Sequence, residues 1–314
     1  MRIPPFWIGA VIVLIVAGLS TRLVGNEYFF YAGFTVVQLA MLASAWNILG
    51  GYCGYINFGS AGFMAVGAYV GAVLGKAVSM PLAGQIAGAA VVAGALGLGA
   101  GYMSLRLRGI FFAISTMAVA IILEVFVLNW EYVGGARGML VIRPAKVDFF
   151  GTSTRFLFFL MAVLAVGTVA VSRYIQRSWI GRGMRALRDD EEAAEGCGVP
   201  TLRLKLLAAS ISGALIGVAG MPIPLFMNFI EPTSLFALNT SVLALAMPMI
   251  GGTSHWIGPI IGALLLGTMQ QIVTVTISSE INVLIVGLVL VVAVVAAPKG
   301  IIGLAQRFLQ KGHA

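Results

Sequence analysis

The sequence predicts an all-α fold: a polytopic helical membrane protein with about 8–10 transmembrane helices, some of them broken or re-entrant. Three observations lead there. The 314 residues are 60% hydrophobic and only 10% charged, with a mean hydropathy of +1.02, unlike any ordinary soluble domain. Apolar runs of the ~20 residues needed to cross a bilayer recur along the whole length, giving one transmembrane domain over residues 1–314. These runs are continuous, whereas a membrane barrel needs alternating strands of roughly 10 residues.

In chain order, spans are expected at Phe6 to Leu23, Phe29 to Leu49, Phe58 to Leu74, Leu82 to Leu105, Ile110 to Leu128, Arg155 to Ile175, Leu204 to Phe229, Leu238 to Ile250, Ile257 to Ile277 and Ile281 to Ala297. Arg2 and the first apolar run could pass for a signal peptide, but no clear small-x-small cleavage site follows, so a retained span is expected. The eighth run is short for an upright crossing of ~30 Å, and with the ninth it reads as a tilted or re-entrant hairpin.

Placing the amino terminus inside puts thirteen basic residues on the inner side: Arg2, Arg106, Arg108, Arg173, Arg177, Arg182, Arg185, Arg188, Arg203, Lys205, Lys299, Arg307 and Lys311. Six fall outside: Arg22, Lys76, Arg137, Arg143, Lys146 and Arg155. This asymmetry follows the positive-inside rule, so the net charge of +8 belongs to topology, and no nucleic-acid partner is inferred. The loop at about 129–154 is then external and the segment at about 176–203 cytoplasmic.

That cytoplasmic segment holds the one long charged run, Ser178 to Gly198. It carries Arg182, Arg185 and Arg188 at three-residue spacing, then Asp189, Asp190, Glu191, Glu192 and Glu195, and ends on Gly196, Gly198 and Pro200. It reads as a short solvated helix between two spans, its core at about Gly183 to Glu195. Such a run is often only an exposed face. Here it is also the sole sizeable polar protrusion that a soluble partner could grip.

Glycine is dense from Asn47 to Gly75 and again from Gly251 to Gly267, the second stretch preceded by Pro248 and interrupted by Pro259. Such stretches serve close helix packing or a helix break facing a cavity, and both readings stand for Gly59, Gly62, Gly251, Gly252, Gly258, Pro259 and Gly262. Asn47, Asn57 and Asn239 near span ends read as caps or interhelical bonds. Ser60 follows Gly59 in the first stretch.

Glu124 is the one ionisable side chain placed well inside a span. A lone carboxylate there costs ~2.5–3.5 kcal/mol unless paired or wetted, so it is expected to face a cavity or the protein interior. His255 reads as a loop residue. Cys53 and Cys197 have no disulfide or metal-ligand spacing, and no metal site is expected. There is no GxxxxGK[ST] phosphate loop, no HExxH and no credible GxSxG, so the chain is not read as an enzyme. It is a pathway without an engine.

NILGGYCGYINFGSAGFMAVGAY from Asn47 resembles the M-type permease subunits of branched-chain amino-acid ABC importers. So does LRGIFFAISTMAVAIILEVFVLNWEYVGGARGM from Leu107, including Glu124, Asn129, Trp130, Gly134, Gly135 and Gly138. The charged run resembles that family's coupling segment at Ser178, Gly181, Arg182, Arg185, Ala186, Arg188, Asp190, Glu191, Ala193, Ala194 and Gly198. Gly251, Gly252, Gly258, Pro259, Gly262 and Ala263 resemble its late glycine-proline motif. One departure is Gly59-Ser60, where the family often has Gly-His.

The resemblance implies an ABC importer permease-like fold in the bacterial cytoplasmic membrane, crossing it many times. It implies a second, H-type permease subunit, two cytoplasmic ATPase subunits that bind the ATP, an external solute-binding protein, and no cofactor on this chain. Gly181, Arg182, Arg185, Arg188, Asp190 and Glu191 would engage an ATPase. The implied cargo is a branched-chain amino acid; urea, short amides or another small solute is the alternative, and an ion-coupled carrier using Glu124 is a further one.

Overall fold

The computed structural model describes residues 5–104, 107, 109–142, 150–276, 287–288, 291 and 300–303. Among these, eight segments are long and apolar enough to cross a membrane: Phe6–Leu23, Glu27–Tyr52, Ser60–Val78, Leu82–Ser104, Ile110–Leu128, Ser153–Arg177, Thr201–Met227 and Pro232–Gly251, followed by the shorter apolar helix Gly258–Thr274. Of the expected tenth span, Ile281 to Ala297, all but residues 287–288 and 291 lies outside the described residues. So do Arg2, Arg106, Arg108, Arg143, Lys146, Lys299, Arg307 and Lys311.

Helices α1 (Pro5–Leu23) and α2 (Glu27–Asn47) are joined by a short turn in which the Asn26 side chain accepts a hydrogen bond from the Tyr28 amide at 2.9 Å. Then come α3 (Ser60–Val78), α4 (Leu82–Ser104), α5 (Ile110–Leu128) and α6 (Ser153–Arg177). The second half of α2 is buried almost continuously, as are the first half of α3 and most of α9 (Thr201–Gly220). These three helices form the interior. Small residues let them approach: a Cβ on Gly67 would overlap the Gly217 carbonyl, and one on Gly220 would overlap Met64 backbone.

Around that centre α4 packs on α9 and α3, α6 lies on α2, and α1 rests on the far side of α6. Aromatic rings pack on α2, with Phe30 against Phe158 of α6 at 5.6 Å and Phe34 stacked on Phe226, beyond the end of α9, at 3.9 Å. Helix α5 packs on α3 with one edge only. Ile110, Phe111, Ile114, Ile121, Ile122, Val125 and Phe126 along its other side are exposed.

The sequence places one helix between α6 and α9, but the structure forms two, α7 (Trp179–Asp189) and α8 (Glu191–Gly196). Asp190 separates them. Its backbone is extended (φ −159°, ψ 113°), and its carboxylate accepts hydrogen bonds from the Glu192 and Ala193 amides at 3.0 Å each. A helix-interior residue at that position could not satisfy those free amides.

The expected span Leu204 to Phe229 is interrupted by Pro222 and continues as α10 (Ile223–Met227). Beyond it, β2 (Phe229–Ile230) pairs antiparallel with β1 (Met139–Leu140) at the end of the molecule opposite α7 and α8. The eighth span is longer than its apolar run suggests. A short helix α11 (Pro232–Leu235) precedes α12 (Leu238–Gly251), and together they cover 20 residues. Helix α12 then turns back as α13 (Gly258–Thr276) against α2. A Cβ on Gly262 would overlap the Met247 carbonyl and one on Gly251 the Gly258 carbonyl, so glycine sets how closely this hairpin closes.

The α7–α8 end carries Arg173, Arg177, Arg182, Arg185, Arg188, Arg203 and Lys205 among the described residues, and the opposite end Arg22, Lys76, Arg137 and Arg155. Arg155 is held there by Glu27 at 3.0 Å.

Candidate functional site

Helix α2 does not end cleanly. After Asn47 it widens into a π-turn, Ile48–Tyr52, and residues 54–59 cross to α3 without regular structure. The turn needs glycine at two positions: a Cβ on Gly50 would overlap the Trp46 ring, and one on Gly51 would overlap the Asn47 side chain. Gly54 then takes φ +81°, a left-handed conformation that glycine adopts without strain. A π-turn within a helix is a frequent mark of a functional position.

Backbone groups freed by the break find partners from several elements. Trp46 donates its indole N–H to the Asn57 carbonyl at 2.8 Å, and Asn57 Oδ1 accepts from the Gly59 amide at 2.7 Å. The Phe58 amide donates to Thr116 Oγ1 of α5 at 3.1 Å, and the Ala61 amide to Ser241 Oγ of α12 at 2.9 Å. Ser60 is fully buried beside Asn57. Asn47 Nδ2 donates to the Thr253 carbonyl at 3.1 Å, tying the first glycine-rich region to the second, while Asn47 Oδ1 is buried without a hydrogen-bond partner.

The break also borders a cavity of about 180 Å³ between α5 and the start of α12, lined by Phe58, Met117, Ala120, Glu124, Phe236 and Ser241 among others. Glu124 faces it and is half-buried. Gly59 and Gly62 sit against α5 at Thr116 and Ala120, so these glycines let α3 and α5 close on each other beneath the cavity. On its rim, Met117 and Ile121 are exposed. Gly251, Gly252, Gly258, Pro259 and Gly262 lie elsewhere, in the α12–α13 hairpin. A larger apolar cavity of about 480 Å³ near Lys76 and Gln85 is lined by none of the candidate pathway or coupling residues.

The charged helices lie directly under the break. Helix α7 is amphipathic, with Gly181, Met184 and Leu187 buried, and Met184 and Leu187 share an apolar cluster with Ile48, Leu49, Tyr52, Cys53 and Tyr55. A Cβ on Gly181 would overlap the Ile175 carbonyl, so the α6–α7 corner needs a glycine there. Ser178 Oγ caps α7 by accepting from the Gly181 amide at 3.3 Å.

The three arginines differ in use. Arg182 is exposed. Arg185 folds back, donating to the Gly181 and Gln176 carbonyls at 3.3 Å each. Arg188 reaches inward and donates to the Gly51 carbonyl of the π-turn at 3.0 Å. Glu191 also turns inward, accepting the Tyr55 hydroxyl at 2.6 Å and pairing with Lys205, whose side chain is only 5% exposed. The Lys205 ammonium lies 4.9 Å over the Tyr55 ring, and Tyr55 meets Phe112 edge-on at 5.0 Å. A buried ammonium needs such partners. Tyr55, Thr116, Lys205 and Ser241 were not singled out from sequence. In the sequence Lys205 reads only as a topology charge.

His255 occupies the α12–α13 corner, beside Trp256 and near Arg173 and Arg177. Burial pulls its imidazole below the usual histidine range, and the charges of Arg177 and Arg173 pull it the same way. Its Nδ1 accepts from the Ile257 amide at 3.3 Å.

Comparison with known proteins places these features in context. The family described as "Branched-chain amino acid transport system / permease component" matches residues 28–294. The chain is 30% identical over 301 residues to the high-affinity branched-chain amino acid transport system permease protein LivM of Salmonella typhimurium, covering 85% of this chain and 69% of that protein. LivM of Escherichia coli is 30% identical over 291 residues, 83% of this chain and 66% of the relative. The chain thus spans about two thirds of the length of these relatives. LivH of Escherichia coli is 25% identical over 301 residues, covering 88% of this chain and 96% of that permease. No solved structure matches the chain. With a match running from the start of α2 to residue 294, the chain belongs to the family of branched-chain amino acid transport system permease components.

Proposed function

We propose that this chain is the M-type permease subunit of an ABC importer for branched-chain amino acids in the bacterial cytoplasmic membrane, the whole chain forming one transmembrane domain. It works with an H-type permease, two cytoplasmic ATPases that bind the ATP, and an external solute-binding protein, and itself carries no cofactor. The observation that carries this reading is the cavity beside α5, where the break between α2 and α3, through Phe58, and the start of α12 meet around Glu124. Its rim lies on an exposed apolar helix face, which suits half of a pathway completed by a second, related permease. Similarity to LivM and LivH alike supports a pair of related subunits.

Glu124 would attract the ammonium of an amino-acid zwitterion, while Phe58, Met117 and Phe236 offer an apolar wall to a branched side chain. The exposed outer face of α7 and α8, with Arg182 and Glu192, would meet the ATPase. The test is to purify the chain in mild detergent with whatever accompanies it and assay ATP hydrolysis with solute-loaded binding protein. Co-purified ATPases whose turnover rises with leucine-loaded protein are the expected result. Stimulation by urea or short amides alone would change the cargo, and a chain that purifies alone would overturn the reading.

A further inference from the structure

The charged segment is fastened to the helix break at two points that a simple exposed loop would not need. Arg188, on α7, reaches the Gly51 carbonyl inside the π-turn. Glu191, at the start of α8, holds both the Tyr55 hydroxyl beyond that turn and the Lys205 ammonium of α9. The two contacts flank the α7–α8 junction and bracket residues 51–55. Between them, Gly54 backs directly onto the Arg188 stem, where a Cβ would come within 2.6 Å of Cγ. Met184 and Leu187 add an apolar seam along the same line.

We propose that Arg188, Glu191, Tyr55 and Lys205 form a latch that transmits movement of the α7–α8 pair to the break between α2 and α3. This rests on the ABC permease reading and says which residues do the coupling inside this subunit. The outer faces of α7 and α8 receive the push or pull. Arg188 and Glu191 deliver it to the two sides of a π-turn, and the residues that follow the turn border the cavity through Phe58. A π-turn suits this task because such single wide turns interrupt the regular helix bonding and recur at functional positions. The orphaned Asn47 Oδ1 at the turn's start marks a hydrogen-bond pattern that is incomplete in this arrangement and that another could satisfy. Tyr55, Lys205, Arg188 and Glu191 are therefore positioning residues, acting on the pathway without touching solute.

The test uses the complete importer in liposomes, with leucine uptake and phosphate release measured together under loaded binding protein. Tyr55→Phe removes one hydroxyl and keeps the ring on Phe112. A double variant, Glu191→Gln with Lys205→Met, removes both charges at once and leaves no buried ion unpaired. In assembled complexes of either variant, leucine imported per ATP hydrolysed should fall about five-fold or more, the scale of an ordinary coupling between sites. A purely structural role would lower uptake and hydrolysis together and leave the ratio unchanged. An unchanged ratio in both variants overturns the latch, while a chain that binds no ATPase overturns the latch and the reading beneath it.

Discussion

His255 links the α12–α13 corner to pH. Its imidazole is held below the ordinary value of 6.5, so the unfolded chain takes up a proton before the folded one does. Above that value the group costs no stability; as pH falls below it, stability is lost until the folded-state imidazole also protonates. Thermal midpoints of the detergent-solubilised protein should therefore decline on mild acidification, and His255→Asn should flatten that decline. Glu124 and Ser241 face the same cavity and should separate by readout. Glu124→Gln keeps the shape but loses the charge, and uptake should fall about ten-fold or more, as expected for losing a charge-assisted hydrogen bond to an ammonium. Ser241→Ala leaves the Ala61 amide unpaired and should cost about 1–3 kcal/mol of stability, seen in the thermal midpoint.

The α12–α13 hairpin shows how glycine sets the distance between helices. Gly251→Ala or Gly262→Ala would drive a methyl into a facing carbonyl and should destabilise by about 1–3 kcal/mol. Gly99→Ala on α4 meets nothing within 4 Å and should be neutral or slightly stabilising, which makes it the matched comparison in the same thermal assay. The positions of such interruptions could be read in the sequence from glycine density, but their geometry could not. Asp190 illustrates why. An aspartate inside a charged run fits a helix interior or a cap equally well, and only its place over the Glu192 and Ala193 amides decides for two helices. Pro232, at the first turn of α11, likewise extends the eighth span beyond its apolar run.

Across the whole chain, hydropathy and motif order disclosed the membrane class and the family, because both are written in local composition. The latch was hidden because its partners are far apart in the chain: Tyr55 and Glu191 are separated by 136 residues and Arg188 and Gly51 by 137. No spacing rule joins such residues, and a lysine near a span end looks like any other topology charge. In the proposed importer the exposed face of α5 would lie against a second permease, the charged helices against an ATPase, and the cavity at Glu124 between the two permeases. A photo-crosslinking residue at Ile121, 48% exposed on α5, reports on this in the intact importer, with the same residue at Val91, 70% exposed on α4, for comparison. Crosslinks from Ile121 to the second permease, with Val91 reaching only lipid, are the result this arrangement predicts; a subunit crosslink from Val91 and none from Ile121 would contradict it.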